Sequence, residues 1–115
     1  MHARPILVVE LPVPPGREIE WNAWYHDEHI PDLLASGVGA ASSVRYRLLG
    51  GEDDVAYLVI HEFTSQEALE RYFASTAVAG RWSEYEKRWG TRRAVRRRAF
   101  APIFERGDRA EQGHS

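Results

Sequence analysis

The chain has 115 residues, of which 43% are hydrophobic, so it can bury one modest core and has no room for a second domain. Fifteen Lys and Arg residues against 17 Asp and Glu residues give a formal net charge of -2, which argues against nucleic acid as the main partner. The absence of cysteine excludes disulfides, thiolate nucleophiles and cysteine-ligated metal centres.

The amino-terminal third of the sequence predicts a strand followed by a helix. Residues 4–13 are rich in β-branched and apolar side chains and run into the proline- and glycine-rich stretch 12–16, which indicates a first strand and a tight connection. Over residues 17–36 apolar and aromatic side chains recur mostly at three- and four-residue spacing, and Gly37 follows as a helix stop. The first unbroken apolar run, residues 6–9, is too short for a signal sequence or a spanning helix, so we expect a cytoplasmic protein.

Pro31 lies inside this predicted first helix. Proline has no N–H group to bond to the carbonyl of Asp27, and its ring crowds that carbonyl. Two outcomes are open: a bend that opens a mouth beside His29, or a helix that ends and restarts at Asp32, a short residue suited to capping.

The middle of the chain predicts a pair of antiparallel strands. Residues 38–49 alternate in polarity and meet the hairpin-like break at 50–54, after which residues 55–63 continue as an apolar strand. Two strands joined by so short a connection pair most simply with each other.

The last third predicts a second helix and a final strand. Residues 64–67 carry the Ser/Thr-then-acid pattern of a helix start, and Gly90 ends the helix, with an interruption expected around residues 77–80. Residues 91–104 alternate basic and apolar side chains and form the last strand, in which Pro102 is restricted to an edge or an end.

The resulting βαββαβ order predicts an α+β protein with a ferredoxin-like sandwich: a four-stranded antiparallel sheet with both helices on one face. The other sheet face needs a cover, and a second copy of the sheet is the simplest one, which predicts a homodimer. We expect residues 1–106 to form this one domain and the polar, aperiodic segment 107–115 to be a disordered and dispensable tail.

Several segments together resemble the dimeric α/β-barrel superfamily, whose small proteins often carry an aromatic and acid-His-x-Pro stretch on the first helix. The segments that carry the resemblance are 21–31 (WNAWYHDEHIP), Gly37, 45–47 (RYR), 57–63 (YLVIHEF) and 68–69 (AL). The likeness extends over residues 4–104 and implies a small single-domain relative of polyketide cyclases, EthD-like proteins and cofactor-independent monooxygenases, dimerising through its sheets into an α/β barrel. Because the superfamily also includes lactone isomerases and haem-handling proteins, the fold by itself fixes no reaction.

The first helix carries the main candidate site. At 100° per residue one helical face collects aromatic and acidic side chains, with His29 at its margin; these residues are Trp21, Trp24, Tyr25, Glu28 and Asp32. An apolar wall raises the pKa of a carboxyl group and histidine exchanges protons near neutral pH, so Glu28 and His29 are predicted as an acid and base pair. The alternative is that the rings are core and the two polar groups pair with each other or with the backbone.

The strands and the second helix supply further candidates. Tyr57 and His61 share one face of the third strand, where a phenol can donate a hydrogen bond and an imidazole can take a proton. Arg45 and Arg47 lie on one face of the second strand and could hold a carboxylate or phenolate, or alternatively form an ion pair at a dimer interface. The predicted substrate-binding residues are Trp21, Trp24, Tyr25, Arg45, Tyr72 and Trp82, since four Trp and five Tyr suit a planar ligand.

Two weaker patterns point to other ligands. His26 and His29 are three residues apart on the helix, but the order His-Asp-Glu-His is not that of zinc proteases and no third ligand is identifiable, so no metal site is predicted. The basic run 92–98 is divided over two faces by the strand period, which favours solvated ends or salt bridges over a phosphate site.

These observations predict an enzyme that acts on an aromatic or polyketide-like small molecule by acid/base chemistry without a cofactor, such as cyclisation, dehydration or isomerisation. The catalytic candidates are His29, Glu28, His61 and Tyr57. A cofactor-independent monooxygenase is the second interpretation, and a non-catalytic ligand-binding or structural dimer is the third. No membrane or nucleic-acid partner is expected.

Overall fold

The structure is a computed structural model that describes residues 2–11, 16–35, 40–49, 57–90 and 95–107. The strands are β1 (Ile6–Leu11), β2 (Ala40–Arg47), β3 (Tyr57–Phe63) and β4 (Arg96–Phe100). The helices are α1 (Glu18–Trp24), a π-helical turn (Tyr25–His29), α2 (Ile30–Ala35), α3 (Gln66–Ala74) and α4 (Thr76–Trp89). All strand pairs are antiparallel in the order β2-β3-β1-β4, which confirms the predicted ferredoxin-like α+β sandwich.

The sheet has one face covered by the helices and one open face. On β3 the alternation follows the prediction: Val59, His61 and Phe63 are buried beneath the helices, and Leu58 and Ile60 point the other way. The core packs the covered face of the sheet against the aromatic side chains of the helices. This arrangement brings the polar residue His61 into the same layer as the apolar core.

The open face is apolar toward its β2 edge and charged toward β4. Val44 and Tyr46 on β2 are 47% and 49% exposed, and Val44 is in register with Ile60. At the other side, Glu10 forms ion pairs with Arg96 and Arg98.

The basic run 92–98 divides over the two faces of β4 where it is described. Arg97 lies over the ring of Trp82 on the covered side, at 5.1 Å, whereas its neighbours Arg96 and Arg98 bind Glu10 on the open side. The predicted salt bridges are thereby confirmed for these two residues, and residues 92–94 lie outside the described part of the chain.

The second helical segment is interrupted at Ser75, so the expected interruption at 77–80 is wrong. Ser75 has an extended backbone, and its Oγ accepts a hydrogen bond from the N–H of Val78, which caps the start of α4. Gly80 lies inside α4 on its exposed side, where a glycine is tolerated. Gly90 ends α4 in the left-handed conformation, as predicted.

The helix around Pro31 continues without a break, so a restart at Asp32 is wrong. The preceding turn widens instead: the N–H of Ile30 bonds to the carbonyl of Tyr25, five residues back. A π-helical turn of this kind accommodates a residue that cannot join the normal ladder.

This wide turn sets which side chains face inward. The buried positions of the first helical segment recur at every fourth residue: Trp21, Tyr25, His29 and Leu33. In a regular α-helix each step of four residues would rotate the side chain by about 40° away from the core. The π turn absorbs part of that rotation, so His29 is buried.

Some predictions fall outside the described residues, namely the strand ends 12–13, 38–39, 55–56 and 91–94 and the tail from 108 onward. Within the described ranges, none of the helices combines the length and the apolar character needed to cross a membrane.

Candidate functional site

An open groove of about 530 Å³ lies between the first helical segment and α4. Its walls are formed by Trp24, Glu28, His29, Asp32, Ala77, Gly80, Arg81, Glu84, Tyr85 and Arg88. Ala77 has a small side chain and Gly80 has none, so few atoms of α4 project into the groove at these positions. A Cβ atom at Gly80 would meet no other atom within 4 Å. A groove of this volume matches a small-molecule ligand.

His29 lies at the inner wall of this groove. Its ring stacks on Trp24 with centroids 4.9 Å apart and meets Tyr25 and Trp82 edge-on. Burial, and then the positive charges of Arg81 and Arg45, lower the pKa of His29 to about 4. The imidazole is therefore uncharged at neutral pH.

Two arginines from α4 bring positive charge to the groove. The Nη1 atom of Arg81 is buried and has no hydrogen-bond partner among the described residues. Arg88 lies over the ring of Trp24, with its Cζ atom 5.7 Å from the ring centroid. Arg81 and the neutral imidazole of His29 line the same groove, so a ligand there would lie close to a positive charge.

The predicted pair of Glu28 and His29 lines one groove, but the two residues are placed differently than expected. His29 is only 8% exposed and lies in the middle of the inward face, so its predicted position at the margin is wrong. Glu28 is exposed at the rim. The π turn explains the difference, because the prediction assumed a regular 100° step.

His61 is 1% exposed and lies opposite His29, between helix and sheet. Its Nδ1 atom is 2.6 Å from the Oγ atom of Ser43, the residue directly paired with it on β2. Burial, and then the neighbouring His29, lower the pKa of His61 to about 4. Sequence reasoning missed Ser43, although the strand alternation places it on the same face as Arg45.

Tyr57 and Arg45 form a second polar cluster, on the β2 side of α1. The Tyr57 hydroxyl donates to the carboxylate of Glu18. The Arg45 Nη1 atom donates to Asn22 Oδ1 at 2.7 Å and to His26 Nε2 at 3.0 Å. Arg45 thus lies beneath the helix, so its interpretation as half of a dimer-interface ion pair is wrong. Arg47, two residues further along β2, is exposed.

His26 therefore contacts Arg45, whereas His29 faces the groove, and the two histidines have different surroundings. Among the described residues no group of three or more His, Asp or Glu side chains is arranged to hold a metal ion.

Most of the aromatic residues predicted to bind substrate lie in the core. The Trp21 indole N–H donates to the Tyr85 hydroxyl at 2.9 Å, and the Trp82 indole N–H donates to the Tyr72 hydroxyl at 3.3 Å. Tyr25 is fully buried. Of the predicted aromatic set only Trp24 is in the groove lining, where it is joined by Tyr85 and Arg81, which sequence reasoning missed.

Solved structures from several bacteria share this fold. An EthD family protein from Bacillus halodurans superimposes with a TM-score of 0.62 at 14% identity, covering 86% of this chain and 99% of that one. A protein described as an antibiotic biosynthesis monooxygenase from Deinococcus radiodurans gives 0.66 at 12% identity, with coverages of 90% and 97%. The haem degrader MhuD from Mycobacterium tuberculosis, solved with two haems in its active site, gives 0.60 at 18% identity, with coverages of 90% and 99%.

These similarities confirm the predicted resemblance at the level of fold: the chain has a ferredoxin-like fold. No curated protein matches the chain in sequence. One family model does match, over residues 5–103, which includes every described strand and helix. The chain therefore belongs to the family described as Domain of unknown function (DUF4286).

Proposed function

We propose that the protein is a small-molecule enzyme in which His29 accepts a proton from a planar, weakly acidic ligand held in the groove. The observation that carries this proposal is the His29 imidazole, uncharged at pH 7, in the same groove wall as Arg81, whose Nη1 atom has no hydrogen-bond partner among the described residues. A neutral imidazole can take a proton, and an N–H donor placed nearby can stabilise the anion that the ligand becomes.

The surroundings of His29 suit both sides of this proton transfer. Before it, the low pKa keeps the imidazole free of a proton at pH 7. After it, the imidazolium lies against the face of Trp24, which favours a cation, and beside the new ligand anion, which raises its pKa again. The aromatic walls provided by Trp24 and Tyr85 suit a flat ligand.

The same first step serves two reaction types. In the first, the ligand anion is reprotonated elsewhere or attacks another carbon of the same molecule, which gives isomerisation, dehydration or cyclisation of an aromatic or polyketide-like compound. In the second, the anion reacts with molecular oxygen, as in a cofactor-independent monooxygenase. The similarity to a protein described as a monooxygenase supports the second type. The planar haems of MhuD support a flat ligand.

We further propose that the working form is a homodimer joined through the open faces of two sheets. The apolar residues on that face support this proposal, because Val44, Tyr46 and Phe100 are each about half exposed in a single chain. A second copy would cover them and would enlarge the core of a small domain.

The proton transfer can be tested without knowledge of the natural substrate. Acetoacetanilide, an aryl 1,3-dicarbonyl compound, has acidic C–H groups whose exchange in D₂O is followed by NMR. We expect the protein to accelerate this exchange with saturation, and His29→Gln to lose about a hundredfold of the acceleration. Glu86→Gln, on the exposed side of α4, is the control and should exchange like the wild type.

Two results would overturn the proposal. Binding of the probe without exchange above the buffer rate would indicate a non-catalytic binding protein. An unchanged exchange rate in a folded His29→Gln variant, with folding checked by its thermal unfolding midpoint, would remove His29 from the reaction.

A further inference from the structure

The buried polar atoms without a hydrogen-bond partner have one property in common. Among the described residues they are Tyr25 Oη, Arg45 Nε, Arg45 Nη2, Arg81 Nη1 and Trp89 Nε1. All of them carry a hydrogen to donate, and no carboxylate or amide oxygen is among them. Among the described residues, the buried side-chain groups left without a partner are thus all donors, and a ligand that supplies oxygen atoms would satisfy them.

Three of these five atoms belong to Arg45 and Tyr25, which are in contact. The Cζ atom of Arg45 lies 4.5 Å from the centroid of the Tyr25 ring, and the rings of Trp21 and Tyr57 lie at 4.9 and 5.3 Å. The aromatic surroundings shield the guanidinium from water, and this burial lowers the pKa of Arg45.

No described carboxylate neutralises Arg45. The acid of this cluster, Glu18, accepts its hydrogen bond from Tyr57, and the two partners of Arg45 Nη1 are the uncharged amide of Asn22 and the ring of His26. A half-buried cation without a counter-charge is costly, and proteins usually supply one. Here none of the described carboxylates supplies it.

The two free nitrogens of Arg45 are the ones that suit a carboxylate. Nε and Nη2 lie on the same edge of the planar guanidinium, and their N–H bonds point the same way. Such an edge matches the two oxygens of one carboxylate in a paired, bidentate contact. Nη1, at the far side, is already used by Asn22 and His26. The hydroxyl of Tyr25 supplies a further donor.

We propose that Arg45 and Tyr25 form a binding site for the carboxylate group of a small ligand. The site lies on the β2 flank of the first helix, where Asn22 and His26 point, and the groove lies on the opposite flank, with Trp24 and Glu28. Neither Arg45 nor Tyr25 lines the groove, although the Tyr25 ring meets the His29 ring edge-on. The carboxylate site adjoins the proton-transfer site but does not depend on the role proposed for His29.

Acetate and acetamide test this site, since they share one shape and differ in charge. The Nε–H signal of Arg45 in a ¹H–¹⁵N NMR spectrum, assigned by its loss in Arg45→Lys, reports binding directly. We expect acetate to shift the signal with saturation and acetamide to leave it in place. Arg45→Lys keeps the charge and removes the paired edge, so acetate binding followed on backbone signals should weaken about tenfold.

Matched variants separate this site from general charge effects and from the groove. Arg47→Lys, at the exposed next position on this side of β2, should bind acetate like the wild type. Tyr25→Phe removes only the unpartnered hydroxyl and should weaken acetate binding severalfold; it tests the site if Arg45→Lys does not fold. His29→Gln should leave acetate binding intact, whatever its effect on proton exchange.

Equal responses to acetate and acetamide would overturn the proposal, and so would equal acetate affinities for the wild type and for both the Arg45→Lys and Tyr25→Phe variants. Either result would mean that water, not an anion, satisfies these donors.

Discussion

The two faces of the sheet are opposites in their chemistry and in their exposure. The covered face carries Ser43, Arg45 and His61 beneath the helices, whereas the open face presents Val44 and Tyr46 to solvent. Folding normally places apolar groups inside and polar groups outside. The covered face departs from this rule by burying polar side chains, and the open face departs from it by exposing apolar ones. The buried polar residues are the basis of the proposed sites, and the exposed apolar residues are the basis of the proposed dimer.

The largest effect should come from the apolar part of the covered face. Phe63 is fully buried and packs edge-on against Tyr72, so Phe63→Ala should reduce the free energy of unfolding by about 3–5 kcal/mol. Phe73, on α3, is 51% exposed, and Phe73→Ala is the matched control, with an expected loss below about 1 kcal/mol. Urea unfolding of the two variants measures the difference. Similar losses would mean that the covered face is not the core.

The open face is tested by a charge placed among its apolar residues on β2. Val44→Asp should raise the dissociation constant of the homodimer at least about a hundredfold, because the symmetric contact would bury two carboxylates. Light scattering should give a mass near twice 13.2 kDa for the wild type and near 13.2 kDa for the variant. Lys87→Asp, on the exposed side of α4, should remain a dimer. A wild-type protein that is monomeric at micromolar concentration would contradict this interpretation of the face.

The sequence was sufficient to predict the alternation that creates the two faces. The two-residue period assigns His61 and Tyr57 to one side of β3, and His61 is buried on the same side as Val59 and Phe63. Sequence reasoning also predicted the start of α3 and the end of α4, because Ser65 and Gly90 are local capping signals. Such features depend on residues that are close together in the chain.

Two features of the site could not be predicted, because they depend on geometry that local patterns do not encode. The π turn before Pro31 rotates His29 into the buried face. A prediction that assumes a regular rotation of 100° per residue does not include such a turn. The contact between Ser43 and His61 requires the exact register of β2 on β3, which a bulge near Ala40 and Ser42 shifts. The position of Arg81 in the groove was not predicted, because α4 and the first helix are distant in the sequence and come together only in the folded chain.

The buried histidines of the covered face make stability depend on pH. The pKa values of His29 and His61 fall from 6.5 to about 4 on folding, so the unfolded chain binds more protons between those pH values. The stabilisation is complete above pH 6.5 and is lost as the pH falls toward 4, by up to about 1.4 kcal/mol per pH unit for each histidine.

Urea unfolding at pH 7, 6 and 5, at one protein concentration, measures this slope. His61→Gln should flatten it, and His2→Gln, at an exposed position, should leave it unchanged. An equally steep slope in His61→Gln would show that other groups cause the loss.

The smallest effect should come from removing one hydroxyl group from either of two adjacent serines, which lie on opposite faces of the sheet. Ser43 points to the covered face and lies 2.6 Å from the Nδ1 atom of His61, and Ser42 is paired with Glu62, whose side chain points to the open face. Ser43→Ala leaves a buried ring nitrogen without a partner, which should cost about 1–2 kcal/mol at pH 7. Ser42→Ala removes a hydroxyl that shares its face with Glu62 and should change the free energy of unfolding by less than about 0.5 kcal/mol. Because the two substitutions remove the same atom from neighbouring positions, urea unfolding of both variants isolates the contribution of the face. A loss in Ser42→Ala as large as that in Ser43→Ala would show that the contact with His61 contributes nothing to stability.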